Sequence, residues 1–455
     1  MLKLSSVKDQ TYLVFGFGKS GQAASSFLQA NGARVLVWDD KDTARHLAAQ
    51  AGYALLPDPD HLSKEKFNGV VLSPGIFLSH KIVVQARKHK IPVINDIDFL
   101  FRACPKATFV GVTGTNGKST TTALITHILS QSGRKVHMGG NIGTPALSLP
   151  PLEEDGIYVL ELSSYQLDLL KTHPISIAVL LNITPDHIDH HGSMEGYIAA
   201  KKNLAQTKTK QTFILGTDEP ETQELKKELA LRGNLTLIEL SATHDVEKGI
   251  RIKDHKLYST EEGLKPIDMS PCKTLVGTHN AQNAAAAFAA CRALGLKASD
   301  IEKGLQSFQG LAHRQQLVAT LKGLRFINDS KATNADAASK ALAAYNTIYW
   351  IAGGVPKEGG LSGLEAYMSR VVHAFLIGQA EEDFAAWCEG KVSFSRNDTL
   401  DKALAQAARM AWEDGKKDAC VLLSPACASF DQYESYEKRG EHFADLVHAL
   451  TRENA

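Results

Sequence analysis

Three glycines at positions 111, 114 and 117, followed at once by Lys118, Ser119 and Thr120, are residue types that could hold a triphosphate. Glycine backbone lets successive N–H groups close on phosphate oxygens, a lysine reaches the outer phosphates, and a hydroxyl next to it can ligate Mg²⁺. The strict spacing of such a loop wants glycine where this chain has Val112, and a glycine-rich turn capped by Ser119 is the competing reading. A second set, Gly16-Phe17-Gly18-Lys19-Ser20-Gly21, fits G-x-G-x-x-G, and Asp39 follows at the end of the next apolar run. An acid there would bind a ribose in an NAD enzyme, but the same turn holds any diphosphate, including that of a UDP-sugar.

Other polar residues stand where apolar runs stop. Glu161 closes Ile157-Tyr158-Val159-Leu160 and is followed by Ser163-Ser164. A carboxylate at such a strand end beside a phosphate loop is where nucleotide triphosphatases place a metal ligand, although a helix-capping acid would look the same. His187, His190 and His191 fall within five residues, a pattern that suits either a solvated loop or a metal cluster. Lys201 and Lys202 read, on composition, as solvated surface charges. Asn280 and Asn283 are three apart on an alanine-rich helix, so they share a face that could read a purine edge or cap the helix.

Positioning these residues takes a particular set of elements. Apolar residues 108–110, the glycine loop and the helical spacing of 123–129 predict strand, loop, helix, the context a phosphate-binding loop requires. Residues 12–15 and 34–39 read as strands around a helix reaching about Ala30, and 70–76 as a strand broken by Ser73-Pro74-Gly75. A strand over 178–184, another over 212–215 and a hairpin around 250–257 follow. Beyond Gly310, four apolar runs each end in Gly, Ser, Asp or Lys, which predicts a doubly wound sheet with a polar edge suited to a small polar ligand. The chain is therefore expected to be α/β with three domains: 1–97 Rossmann-like, 98–309 of the P-loop ATPase type, and 310–455 Rossmann-like, each on a largely parallel sheet.

Composition limits the partners. Fifty basic and fifty acidic residues cancel, so neither a nucleic-acid nor a membrane surface is expected. No apolar run approaches the roughly eighteen residues a membrane span needs, and the start lacks the apolar core of a signal peptide. Six cysteines without a CxxC pair suit reduced, buried thiols, and a cytoplasmic protein is the expectation.

Gly114-Thr115-Asn116-Gly117-Lys118-Ser119-Thr120, Glu161-Leu162-Ser163-Ser164, Asn182-Ile183-Thr184-Pro185-Asp186-His187, His279-Asn280-Ala281-Gln282-Asn283, Ala312-His313-Arg314 and Asn328-Asp329-Ser330-Lys331-Ala332-Thr333-Asn334 together resemble the ordered motifs of the Mur ligases. These are ATP-dependent amide-forming enzymes of cell-wall synthesis, whose loop carries the same shifted glycine. Within the family, the first glycine turn, Ser73-Pro74-Gly75 and the segment Ser424 to Tyr433 most resemble the D-glutamate-adding branch. The resemblance implies UDP-N-acetylmuramoyl-L-alanine, D-glutamate and ATP as substrates, joined through an acyl phosphate by a monomer.

It also implies roles. Gly18, Lys19, Asp39, Asp40, Ser73, Asn141, Ser163 and His187 would surround the UDP substrate, and Gly114 through Thr120 with Asn280, Asn283, Arg314 and Asp329 would surround ATP. Ser119, Glu161, His187 and Lys201, the last as a carbamate formed from CO₂, would hold two Mg²⁺ ions, with Lys202 a second candidate for the modification. Lys331, Thr333, Lys357, Ser429 and Tyr436 would surround D-glutamate, Tyr436 standing where a phenylalanine is expected. Lys118, His187 and Lys201 would be catalytic. Another amino-acid specificity, an NAD enzyme and a non-catalytic nucleotide-binding module are the competing functions.

Overall fold

The computed structural model describes residues 2–60, 62, 67–207, 209–275, 277–356 and 359–453. Two compact units emerge, Met1–Cys272 with Thr278–Ser307, and Lys273–Gly277 with Phe308–Ala455. Three largely parallel sheets carry them, so the expected α/β class holds.

The first unit holds two sheets. One consists of β1 (Thr11–Phe15), β2 (Arg34–Trp38), β3 (Ala54–Leu55), β4 (Gly69–Leu72) and β5 (Val93–Ile94), all parallel in the order 3-2-1-4-5. Leu13 and Val14 point to opposite faces, yet both are buried, because helices cover the two sides of the sheet. The other sheet is built from β6 (Thr108–Thr113), β7 (Val136–Gly140), β8 (Ile157–Glu161), β9 (Ile175–Leu180), β10 (Gln211–Gly216), β11 (Leu235–Ser241), β12 (Gly249–Lys253), β13 (Lys256–Ser259) and β14 (Ile267–Asp268). Its order is 14-13-12-11-10-9-6-8-7, with the expected hairpin at β12 and β13. The strand predicted over 178–184 instead runs Ile175–Leu180, because beyond Leu180 the backbone leaves the sheet and serves the phosphate loop: Asn182 O accepts from Thr115 N at 3.0 Å.

The second unit contains β15 (Gln316–Leu321), β16 (Leu324–Asn328), β17 (Thr347–Gly353), β18 (Val371–Ile377), β19 (Phe394–Asp398) and β20 (Ala419–Leu423), ordered 15-16-20-17-18-19. Only the β15–β16 pair is antiparallel. Trp350, Tyr349, Phe326 and Phe375 are fully buried against its covering helices. All six cysteines are free and buried, as their spacing suggested.

Candidate active site

Strand register assembles the site of the first unit. Val112 pairs with Glu161, Gly140 with Glu161, and Thr113 with Leu180, so four neighbouring strands end at one level. The phosphate loop, Asn141, Glu161 to Ser163, and the segment after Leu180 therefore meet along one sheet edge, where parallel α/β sheets bind ligands.

The loop itself is held open by named contacts. Gly117 has φ 83° and caps the helix Lys118–Gln131. A Cβ at this position would overlap Asn283 Oδ1, so both conformation and space require glycine. Asn182 Oδ1 accepts from Asn116 N at 2.8 Å, and Thr115 Oγ1 donates to Thr184 O at 3.1 Å. Asn283 sits under the loop, its Oδ1 accepting from Thr121 and its Nδ2 donating to Asn280 Oδ1 at 3.2 Å each. The two amides thus share a face, as their spacing predicted, and one of them braces the loop. Lys118 Nζ donates to the carbonyls of Gly114 and Thr115 at 2.9 and 2.7 Å, curling over the loop it would serve. Ser119, the first-turn hydroxyl, is buried.

A cavity of about 260 Å³ opens beside the loop, with Lys118, Asn141, Ser163, His187 and Lys201 among its walls. Glu161 is 3% exposed; its Oε1 accepts from Asn141 Nδ2 at 2.8 Å, while Oε2 is buried without a hydrogen bond among the described residues. A buried carboxylate oxygen left without a donor costs free energy, which a hard cation would relieve. His187 adopts φ 52°, and its Nδ1 lies 3.0 Å from the Tyr165 hydroxyl. Ser163 caps the helix Ser164–Leu169 in a capping box with Gln166.

Lys201 departs most from its sequence reading. Far from solvated, it is 1% exposed, donates to Gly114 O at 2.8 Å and lies 4.6 Å from the Tyr197 ring centre. Burial, and secondarily Lys118, pushes its pKa well below the ordinary lysine range. Lys202, one residue on, faces water and pairs with Glu228 at 2.9 Å. The helix Met194–Lys202 turns its two final lysines in different directions, which one sequence position of spacing could not convey.

At the first sheet, Ser73 Oγ donates to Gly16 O at 2.9 Å, and a Cβ on Gly21 would overlap the same carbonyl oxygen. Gly18 faces open space at the start of the helix Lys19–Ala30. Both Asp39 oxygens are engaged locally, Oδ2 by Phe17 N at 2.7 Å and Oδ1 by Lys41 N at 2.9 Å. Asp40 lies 3.3 Å from His80 Nε2.

The second unit has its own polar edge. Asn328 pairs with Leu423, and Ile351 with Leu423, bringing Asp329, Ser424 and the turn at Gly353 together. Asp329 Oδ2 accepts from Ser424 Oγ at 2.8 Å and Oδ1 from Gln315 N at 3.1 Å; burial raises its pKa from 3.8 to about 7. Arg314 lies close enough to oppose that rise. Lys331 Nζ is 5.4 Å from the Tyr436 ring centre, Thr333 is half-buried, and Ser429 is 2% exposed with its hydroxyl unpartnered among the described residues. Lys357 lies outside the described residues. Arg439, which sequence reasoning passed over, is 1% exposed and donates to Ser330 Oγ and to the carbonyls of Ser330, Gly353, Cys427 and Ala428. An arginine on an amphipathic helix reads as surface, so no sequence signal marked it.

A phosphate loop, an acid on the adjoining strand and three largely parallel sheets define a P-loop protein of the α/β class. Residues 112–291 match the Mur ligase middle domain and residues 10–95 the Mur ligase MurD-like N-terminal domain. The UDP-N-acetylmuramoylalanine–D-glutamate ligase of Paramagnetospirillum magneticum is 45% identical over 100% of both chains. Its namesake from Rhodospirillum rubrum is 46% identical over 97% of this chain and 95% of that one. In fold, the UDP-N-acetylmuramate-alanine ligase MurC of Thermotoga maritima superposes with a TM-score of 0.58 at 17% identity, covering 97% of this chain and 99% of that chain. The chain belongs to the Mur ligase family.

Proposed function

We infer that the protein is an ATP-dependent ligase that joins D-glutamate to UDP-N-acetylmuramoyl-L-alanine, giving an amide, ADP and phosphate in the assembly of peptidoglycan precursors. Full-length relatives named for this reaction support the reading. The observation that carries it is the cavity walled by Lys118, Asn141, His187 and Lys201, at a strand level that also ends in Glu161.

In the proposed reaction, an oxygen of the L-alanine carboxylate bonds to the γ-phosphorus of ATP as the bond to ADP breaks. The D-glutamate amine then bonds to the acyl carbon, phosphate leaves with the C–O electron pair, and the amine loses a proton. Lys118 would leave its loop carbonyls for the phosphates, meeting charge that grows in the transition state. Mg²⁺ would be held by Ser119, Glu161 and His187, with Glu161 Oε2 as the free donor, and would supply neutralisation of phosphoryl oxygens. A neutral Lys201 amine is the form that captures CO₂: nitrogen bonds to carbon as a C–O π pair moves to oxygen, the nitrogen loses a proton, and the neutral amine becomes an anionic carbamate whose oxygens could serve a second ion.

The UDP moiety would lie along Gly18, Lys19, Asp39, Asp40 and Ser73, with ATP also touching Asn280, Asn283, Arg314 and Asp329. D-Glutamate would meet Lys331, Thr333, Ser429 and Tyr436. We assign residues 1–97, 98–309 and 310–455 to the UDP, ATP and amino-acid domains of a cytoplasmic monomer. Among the described residues, no helix is long and apolar enough to cross a membrane. ATP-dependent phosphate release should require UDP-N-acetylmuramoyl-L-alanine and D-glutamate together. Release with either alone, or with another amino acid in place of D-glutamate, would reject the assignment.

A further inference from the structure

Two histidines next to the site have no part in the ligase reading. His190 and His191 close the short helix Ile188–His191, and Asp168 reaches them from the helix Ser164–Leu169. One ligand atom from each lies within 4.8 Å of the others. His191 Nδ1 is 3.7 Å from Asp168 Oδ2, and its side chain is 2% exposed. Its other nitrogen, Nε2, lies 3.0 Å from Ser164 Oγ. With Nε2–H donating to that hydroxyl, the lone pair on Nδ1 faces the carboxylate. His190 Nδ1 is buried and has no hydrogen bond among the described residues, while the Tyr165 ring packs edge-on 4.2 Å from the His190 ring.

We propose that Asp168, His190 and His191 form a site for a borderline-soft divalent transition cation, Zn²⁺ being the representative, distinct from the Mg²⁺ ligands Glu161 and His187. Two imidazoles and one carboxylate are the donors that zinc-class ions take, with a fourth position left to water. Mg²⁺ prefers an octahedron of oxygens, so this donor set discriminates against the ion the ligase reaction uses. Ser164 is the outer partner that such sites employ to fix a ligating ring. The ligand atoms, within 4.8 Å of one another, need close by at most about 1.5 Å to reach the roughly 3.3 Å spacing that tetrahedral zinc–nitrogen bonds of about 2.0 Å impose. The site stands on these contacts alone and does not depend on the ligase assignment.

The full chain, stripped with chelator and titrated with Zn²⁺ in millimolar Mg²⁺, should bind one Zn²⁺ with micromolar or tighter affinity. Asp168→Asn and His190→Gln should each weaken binding at least about tenfold, and Ser164→Ala by about tenfold, as loss of an outer partner does. Glu161→Gln should leave Zn²⁺ affinity unchanged. X-ray absorption of the Zn²⁺-loaded wild type gives an answer independent of whether any variant folds. Two imidazoles in the first shell are expected, whereas the Glu161–His187 set could supply one. A single imidazole, no saturable micromolar binding, or affinity untouched by both Asp168→Asn and His190→Gln would overturn the proposal.

Discussion

At the scale of single residues, burial decides which polar groups do chemistry. Lys118 and Lys201 both donate to Gly114 O, yet Lys118 is marked by its own glycine-loop chemistry whereas Lys201 is singled out by the family resemblance alone. Lys118→Ala should lower turnover about 10³-fold with the fold intact, the usual loss when a preorganised charge-stabilising group is removed; steady-state phosphate release and a circular-dichroism melt check the two halves. Lys201→Ala should be nearly inactive and partly rescued by a small carboxylate, while Lys202→Ala, whose lysine faces water against Glu228, should retain normal turnover. Bicarbonate depletion should slow the wild type, and an equally active Lys201→Ala enzyme would remove the carbamate from the account. Asp329 gives a pH signature. Its folded pKa of about 7 exceeds the ordinary 3.8, so the folded state binds the proton more tightly and this contribution to stability is lost as pH rises from about 4 to about 7. The urea-unfolding free energy of Asp329→Asn minus that of the wild type should therefore climb across this window and level off above it. The identity of these side chains was legible in the sequence; the burial of Lys201 and Asp329 was not, since it depends on what packs over them.

At the scale of elements, most of the design was readable where local chemistry is strongest. Strand, glycine loop and helix around Gly117 follow from apolar spacing and from the φ 83° that glycine alone accepts easily. The early end of β9 was not, because Leu181 and Ile183 continue the apolar run while Asn182 already serves the loop. Strand order was likewise hidden: that β8 lies beside β6, and β20 beside β16 and β17, rests on pairings across long stretches of chain. Arg439 shows the same limit. From the helix Tyr436–Glu453 it ties together the turns that follow β16, β17 and β20, and burial lowers its pKa to about 10. Arg439→Met leaves several buried carbonyls without donors and should cost roughly 3–5 kcal/mol, a few unmet acceptors at about 1–3 kcal/mol each offset by the charge no longer buried. Its melting transition should fall accordingly. Arg439→Lys should recover part of the stability but, lacking the planar fork, should keep a raised KM for D-glutamate through misplaced Ser429 and Lys331.

At the scale of the whole chain, neutrality and three separate sheets leave recognition to strand edges rather than to a charged surface. Each sheet ends in polar turns on its carboxyl side, which is why three candidate ligand-binding regions are legible in the sequence: the residue types recur at strand ends. What the turns hold is less transparent, because Gly16 to Gly21 with Asp39 suits a dinucleotide or a UDP-sugar equally. Asp39 accepts from the backbone N–H groups of Phe17 and Lys41, which ties the glycine turn to the strand end and leaves acceptor capacity that either ligand's ribose could use. Two compact units also make the choice measurable. A ligand that binds the folded chain alone stabilises it by RT ln(1 + [L]/Kd), about 2.7 kcal/mol at a hundredfold excess over Kd. Scanning calorimetry with the UDP-linked substrate should therefore raise the transition of the unit carrying Gly16 to Gly21, assigned by limited proteolysis, and NAD at the same concentration should leave it in place. Lys19→Ala should reduce the shift, since Lys19 opens the helix behind the exposed Gly18 and offers a cation to the diphosphate. An NAD-dependent shift abolished by Asp39→Ala would return the dehydrogenase reading for the first sheet, whatever the second sheet does with ATP.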